Sequence, residues 1–176
     1  EAYVKLILTR GTPPKGQRDP RTCENQFYAF AIPYVWITPP EKQELGMHLT
    51  VSSIPRISPD SVDPTVKNFH WGDMVQGLFE AYDRGAETPV LTDGQGNITE
   101  GPGFNIFAAI GGRLVTPDSG VLLGITRKTV IELAQSLNVK VDVGILTEAE
   151  LRAADEIFIS STAGGVIPVS KLDGKP

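Results

Sequence analysis

One cysteine, two histidines and two methionines are all that the 176 residues hold of the side chains that staple a chain or bind soft metals. With Cys23 alone, a disulfide framework within the chain is excluded, which fits a reducing, cytoplasmic setting. His48 and His70 add too few ligands for a Cys/His zinc site, so no metal is expected. No apolar run reaches the ~20 residues of a membrane span, and the start shows no signal peptide. Positive charge is in deficit: 16 Lys+Arg face 21 Asp+Glu, a net charge of -5. A nucleic-acid platform needs a basic face, so neither nucleic acid nor a membrane is an expected partner. The phosphate-cradling G-x-x-x-x-G-K-[ST] loop is missing too. Gly101-Pro-Gly103 opens like a dinucleotide fingerprint, but Ile106 stands at the third glycine and the segment enters a strand. Asp93 to Asn97 has neither the glycine nor the final glutamate of a calcium loop; it reads as a hairpin turn.

What is present suits a globular domain: 40% hydrophobic and 21% charged residues, punctuated by 18 Gly and 14 Pro. Residues 3–9 read as a mostly buried strand, 10–21 as a long loop, and 27–36 and 49–54 as further strands. Asp63 and Pro64 read as the cap and first residue of a helix over 64–84, with Val75, Leu78, Phe79 and Tyr82 as its apolar face. Strands are predicted at 89–92, 98–100, 105–110, 113–115, 139–143 and 156–160, with 167–169 as one more candidate. A helix is predicted over 125–138, capped by Thr126 and striped by Val130, Ala134 and Leu137. Thr147 and Glu150 form the capping box of a short helix. Many strands, two longer helices and one core give an α+β chain rather than a regular βαβ alternation.

Three segments carry candidate chemistry. Lys67, placed in the first helical turn, faces the positive end of a helix dipole, which disfavours an ammonium. A neutral lysine is the nucleophile of Schiff-base chemistry; a solvated helix face carries lysines as well. Glu100 closes a strand before Gly101, Pro102 and Gly103, where its carboxylate can bond a cofactor ring N–H and keep a pyridine protonated. Leu123 to Arg127 turns into a helix, whose first N–H groups and the Thr126 hydroxyl suit a phosphate. Ser161 to Gly165 has the same character.

In order along the chain stand Val66-Lys-Asn-Phe-His-Trp-Gly-Asp73, Thr99-Glu-Gly-Pro-Gly-Phe-Asn-Ile106, Gly124-Ile-Thr-Arg-Lys128 and Asp155-Glu-Ile-Phe-Ile-Ser-Ser-Thr-Ala-Gly-Gly165. Together they resemble the class IV (fold-type IV) pyridoxal-phosphate aminotransferases, over essentially the whole chain. The resemblance implies the large domain of the D-amino-acid aminotransferase-like fold, an α+β unit with a mixed, barrel-like β core and flanking helices. Lys67 matches the lysine that forms the Schiff base with pyridoxal 5'-phosphate and shuttles the proton. Glu100 matches the acid on the pyridine nitrogen, and Leu123 the residue against the ring. Ile125, Thr126 and Thr162 match the phosphate contacts. Ala163 and Trp71 are expected to line the substrate pocket, and Arg18 to meet a substrate carboxylate.

Trp71 with Gly72-Asp73, Phe104 and the loop from Thr9-Arg-Gly11 to Arg18 make the (R)-selective amine transaminases the nearest likeness. Branched-chain enzymes usually carry a Gly-rich, Tyr-containing stretch after the lysine and an acidic residue in place of Phe104. The implied activity moves an amino group from an amine or amino acid to a keto acid such as pyruvate. Branched-chain or D-amino-acid transamination, aminodeoxychorismate lysis on the same fold, and an inactive fragment are the alternatives. The resemblance also implies a homodimer. It implies that residues 1–176 are the C-terminal, cofactor-binding domain, without the small N-terminal domain and the extreme C-terminal segment.

Overall fold

The computed structural model describes residues 1–176 and divides them into two compact units, Glu1–Val35 and Trp36–Pro176. The first unit is an antiparallel ribbon. Strand β1 (Ala2–Thr9) pairs with β2 (Gln26–Pro33), in register from Ala2 opposite Pro33 to Thr9 opposite Gln26. The loop between them closes with a single 3-10 turn at Pro20–Thr22, capped by the Asp19 carboxylate. Strand β1 is not mostly buried as the sequence suggests: Val4, Leu6 and Leu8 are all more than 60% exposed. Alternate side chains of a strand leave on opposite faces, so an unbroken apolar run does not by itself bury both. The second strand ends at Pro33, three residues short of the expected Trp36; proline has no N–H to extend a ladder.

The second unit holds a seven-stranded mixed sheet. Its strands are β3 (Met47–Val51), β4 (Thr88–Val90), β5 (Asn105–Ile110), β6 (Arg113–Pro117), β7 (Lys140–Gly144), β8 (Glu156–Ser161) and β9 (Gly165–Leu172). They lie in the order β4-β3-β9-β8-β5-β6-β7. Strand β3 runs parallel to β4 and β9, and β6 parallel to β7; the remaining pairs are antiparallel. Neighbouring parallel strands require a crossover. The two long helices supply it: α2 (Gly72–Asp83) joins β3 to β4, and α3 (Ile125–Ser136) joins β6 to β7. Two short helices complete the unit, α1 (Pro40–Gln43) and α4 (Glu148–Arg152), the latter opened by the expected Thr147–Glu150 capping box.

Register puts two chemistries on the two faces of the central pair. Ile106 opposite Ile159 points into a core shared with Leu49, Val90, Leu146, Leu151 and Ile167. Their neighbours point the other way: Phe107 stacks on Phe158 at 4.9 Å, and Asn105 lies opposite Ser160. That second face carries the candidate site.

Helix α2 differs from expectation in two respects. It starts at Gly72, not Pro64. Asp63 caps a local turn through Thr65, and Asn68 bonds Val66 and His70, so short side chains satisfy the backbone before a helix can. Its buried stripe is Met74, Gly77 and Ala81, whereas Val75, Phe79 and Tyr82 are exposed. The helix lies so close to the sheet that a Cβ on Gly77 would meet Pro89 Cγ at 3.2 Å and Ser52 Oγ at 3.3 Å. Small residues therefore take the inner face. In α3 the cap is Gly124 rather than Thr126; Ala134 is buried as expected, but Leu137 is 65% exposed.

A half-buried polar knot ties β3, α2, α4 and the turn after β9. Asp173 accepts from the Thr50 hydroxyl, the Val51 N–H, Arg84 and Arg152. Burial would raise its carboxyl; the bonds from Thr50, Arg152 and Val51 outweigh that and hold it below the usual range. Asp173→Asn is expected to cost about 1–3 kcal/mol of stability near neutral pH, the worth of hydrogen bonds to a partly buried charge. Asparagine tolerates the φ of +50° at this position, so the backbone is not the cause. A depressed carboxylate stabilises above its unfolded pKa, so the gap between parent and variant should shrink below about pH 4. Denaturant titrations at several pH values test this; a gap that does not change with pH refutes it.

Candidate active site

A cavity of about 250 Å3 opens on the second face of the sheet, and every residue lining it belongs to the second unit. Its floor is the start of β5 and the end of β8, which contribute Asn105, Ser160 and Ser161. Its walls are the 64–71 loop, the Glu100–Phe104 turn and the start of α3. Most of the lining surface is apolar, with a few polar groups converging on it, as ligand sites usually are.

Glu100 is 5% exposed and sits where a hairpin arm, paired to Leu91, meets the Gly101–Gly103 turn. One carboxylate oxygen accepts the Leu122 N–H at 2.8 Å, and the other accepts Arg56 Nη2 at 3.3 Å. Burial pushes the Glu100 carboxyl up, against the Leu122 N–H, the Arg56 guanidinium and the charge of Lys67. Arg56 is buried as well and donates to Asp73 at 2.6 Å.

Lys67 lines the same cavity, but from an exposed loop and not from a helix. Lys67 therefore lies outside the first turn of α2; what places it is the pair of Asx-type turns around Asp63 and Asn68. Helix α3 presents its first turn to the cavity, with Ile125, Thr126 and Arg127 all in the lining. The chain enters this helix at Gly124, where a Cβ would come within 2.4 Å of Asn105 Oδ1, so only glycine lets the turn lie on the strand. The first N–H groups of a helix have no partner within it, and Thr162 stands nearby in the lining. Ser160 is 2% exposed and its hydroxyl meets no partner.

The structure thus gathers Lys67, Glu100, Leu123, Ile125, Thr126, Thr162 and Trp71 around one cavity. Two other candidates are not among its lining residues. Ala163 bonds Ser161 and Ile37 through its backbone. Arg18 is an exposed loop residue of the first unit.

Residues 1–172 match the model of the amino-transferase class IV family. The chain belongs to that family. Class IV aminotransferases are pyridoxal-phosphate enzymes. A Methanocaldococcus jannaschii relative is 36% identical over 178 residues, covering 99% of this chain and 60% of the relative. The branched-chain-amino-acid aminotransferase of Escherichia coli strain K12 is 32% identical, over 98% of this chain and 57% of its own length. Among solved structures, the branched-chain aminotransferase of Thermoproteus uzoniensis with norvaline superposes at a TM-score of 0.88 with 29% identity. That match covers 99% of this chain and 58% of the other. The class IV chain described here therefore spans 57–60% of the length of these relatives.

Sequence reasoning missed four residues of this class IV site: Arg56, Asn105, Ser160 and Arg127. Asn105 and Ser160 were legible in part, because alternation from Ile106 and Ile159 turns both onto the opposite face. Arg127 looks like a surface residue of an amphipathic helix, yet its guanidinium is buried and donates to Pro117 O at 2.8 Å. Nothing in the Ser53-Ile-Pro-Arg56 stretch marks Arg56 as the one that turns inward.

Proposed function

We propose that this chain carries the cofactor-binding half of a pyridoxal-phosphate-dependent transaminase. The observation that supports it most is one cavity shared by Lys67, Glu100 and the first turn of α3. The donor set fits the cofactor. The Ser160 hydroxyl, buried and without a partner, and the leading N–H groups of α3 suit a phosphate. Leu123 and Phe104 offer apolar surface for a ring, and Glu100 a carboxylate for its nitrogen. When bound, pyridoxal phosphate supplies an aldehyde that condenses with amines and a ring that accepts electron density from the neighbouring carbon. In this reading Lys67 Nζ holds the cofactor, yields it to the amino donor, and then takes and returns the proton at the donor's α-carbon. Glu100 keeps a proton on the ring nitrogen, Leu123 packs against the ring, and Ile125, Thr126 and Thr162 hold the phosphate. Trp71 forms the substrate-side wall.

Mixing the protein with pyridoxal phosphate, reducing with borohydride and mapping the adduct by mass spectrometry tests the reading directly. The expected result is a single adduct on Lys67. No adduct, or one spread over surface lysines, removes the proposal.

For the substrates, the relatives' names support branched-chain amino acids and their keto acids. A second reading, an amine donor, is favoured by Phe104: the phenyl ring is 4% exposed in the cavity wall, where the branched-chain likeness implies an acidic side chain. Bleaching of the bound cofactor by L-leucine, D-alanine or a primary amine without a carboxylate separates the readings. We further propose a cytoplasmic homodimer: the class IV likeness implies the pair, and the single free Cys23 suits a reducing compartment.

A further inference from the structure

The buried guanidinium beside Glu100 has no role in the mechanism so far. Arg56 bridges two carboxylates, donating Nη1 to Asp73 at 2.6 Å and Nη2 to Glu100 at 3.3 Å. The three side chains are only 6%, 11% and 6% exposed. Asp73 is itself anchored by the Ile57 N–H at 2.7 Å and the Met74 N–H at 2.8 Å. The chain of contacts therefore runs from backbone, through Asp73 and Arg56, to the one carboxylate in the cavity wall. A carboxylate has about four acceptor positions. Arg56 and the Leu122 N–H take one on each Glu100 oxygen, which fixes its plane and leaves the remainder for a ligand. Burying such a triad is costly, and packing alone would be served as well by apolar side chains. The guanidinium also keeps Nε without a partner, a further cost that a purely structural tie would not need.

We propose that Arg56 is a positioning residue: held by Asp73, it fixes the orientation and the charge of the Glu100 carboxylate toward the ring nitrogen of the cofactor. The inference rests on the transaminase reading. The groups that face Glu100 are Arg56, Lys67 and the Leu122 N–H, with Asp73 acting through Arg56; Arg127 lines the same cavity but is turned to Pro117. Burial favours the neutral carboxyl, and the Arg56 charge opposes it. A proton shared between Glu100 and a ring nitrogen has two places to sit. Arg56 touches the carboxylate directly, so it stabilises the charged pair with the proton on the ring. Without Arg56 the proton moves toward Glu100, and the ring loses its positive charge and its capacity to accept electrons.

The test uses the protein loaded with pyridoxal phosphate, its bound-cofactor absorbance titrated across pH, and turnover measured over the same range. Arg56→Met is expected to keep the adduct on Lys67, shift the absorbance titration and lower turnover about tenfold or more, the worth of one hydrogen bond to a charged group. Arg56→Lys restores a charge without the fork and should recover the absorbance titration while leaving turnover part-way. Asp73→Asn, which loosens Arg56 without removing it, should move both in the same direction by less. If Arg56→Met does not fold, the Asp73→Asn and Arg56→Lys results decide. Loaded variants with parental absorbance and pH profile, altered only in melting temperature, overturn the role and leave the transaminase reading standing. A parent protein that takes up no cofactor overturns both.

Discussion

Lys67→Ala should leave a folded protein that no longer captures pyridoxal phosphate covalently and no longer turns over. Lys67 is exposed and lies in a loop, outside the core cluster and outside both long helices, so truncating it removes no packing that the fold depends on. Exposed substitutions away from special features usually change stability by no more than about 0.5 kcal/mol. The loss of activity should be far larger. The proton-transfer role alone is worth about 10²–10⁴-fold, and the variant also gives up the attachment that holds the cofactor in line. Borohydride reduction followed by peptide mapping gives the first readout, and turnover the second. Circular dichroism with a denaturant titration guards against a trivial cause. A Lys67→Ala protein that still turns over at a comparable rate would sink the assignment. One that is unfolded would instead mean that the 64–71 loop is structural, which its exposure contradicts.

How far the sequence leads depends on which interactions are local. The capping box at Thr147, the turn at Asp93, the β5 strand and the start of β8 follow from residues a few positions apart, and all are found where the pattern puts them. The start of α2 was misplaced because two local signals compete. Asp63-Pro64 is as good a turn as it is a helix start, and the next helical commitment is made at Asp73, whose carboxylate is already engaged by Arg56 from across the fold. The helix's inner face was misread for a related reason. A Gly77 packed on Pro89 and Ser52 buries more closely than a phenyl ring could, and no periodicity sum rewards glycine. At the site, the motif residues were legible as single groups, while their grouping was not. Lys67, Glu100 and Thr126 meet only because β5 pairs with β8 and α3 crosses back over that face. Arg56 escaped altogether, since a buried cation makes sense only once the cavity beside it is known.

Glu100→Gln should separate cofactor attachment from catalysis. The amide keeps the size of the carboxylate but only one acceptor oxygen, so it retains the bond from Leu122 or the one from Arg56, not both. Arg56 retains its stronger ion pair with Asp73, and burial no longer penalises a charge at position 100. The fold and the Lys67 adduct are therefore expected to persist. What the variant cannot do is hold a positive ring: a neutral amide facing a pyridine nitrogen gives no electrostatic support to its proton. The ring then stops acting as an electron sink, and turnover should fall by about 10²–10³-fold, the scale seen when one group aimed at developing charge is removed. Because attachment survives, the loss should sit in kcat rather than in cofactor occupancy. Adduct mapping and stopped-flow bleaching by an amino donor read the two separately. Turnover equal to that of the parent would take Glu100 out of the mechanism, and Arg56 with it. A lost adduct with an intact fold would instead make Glu100 a binding group, needed to seat the ring before Lys67 can reach it.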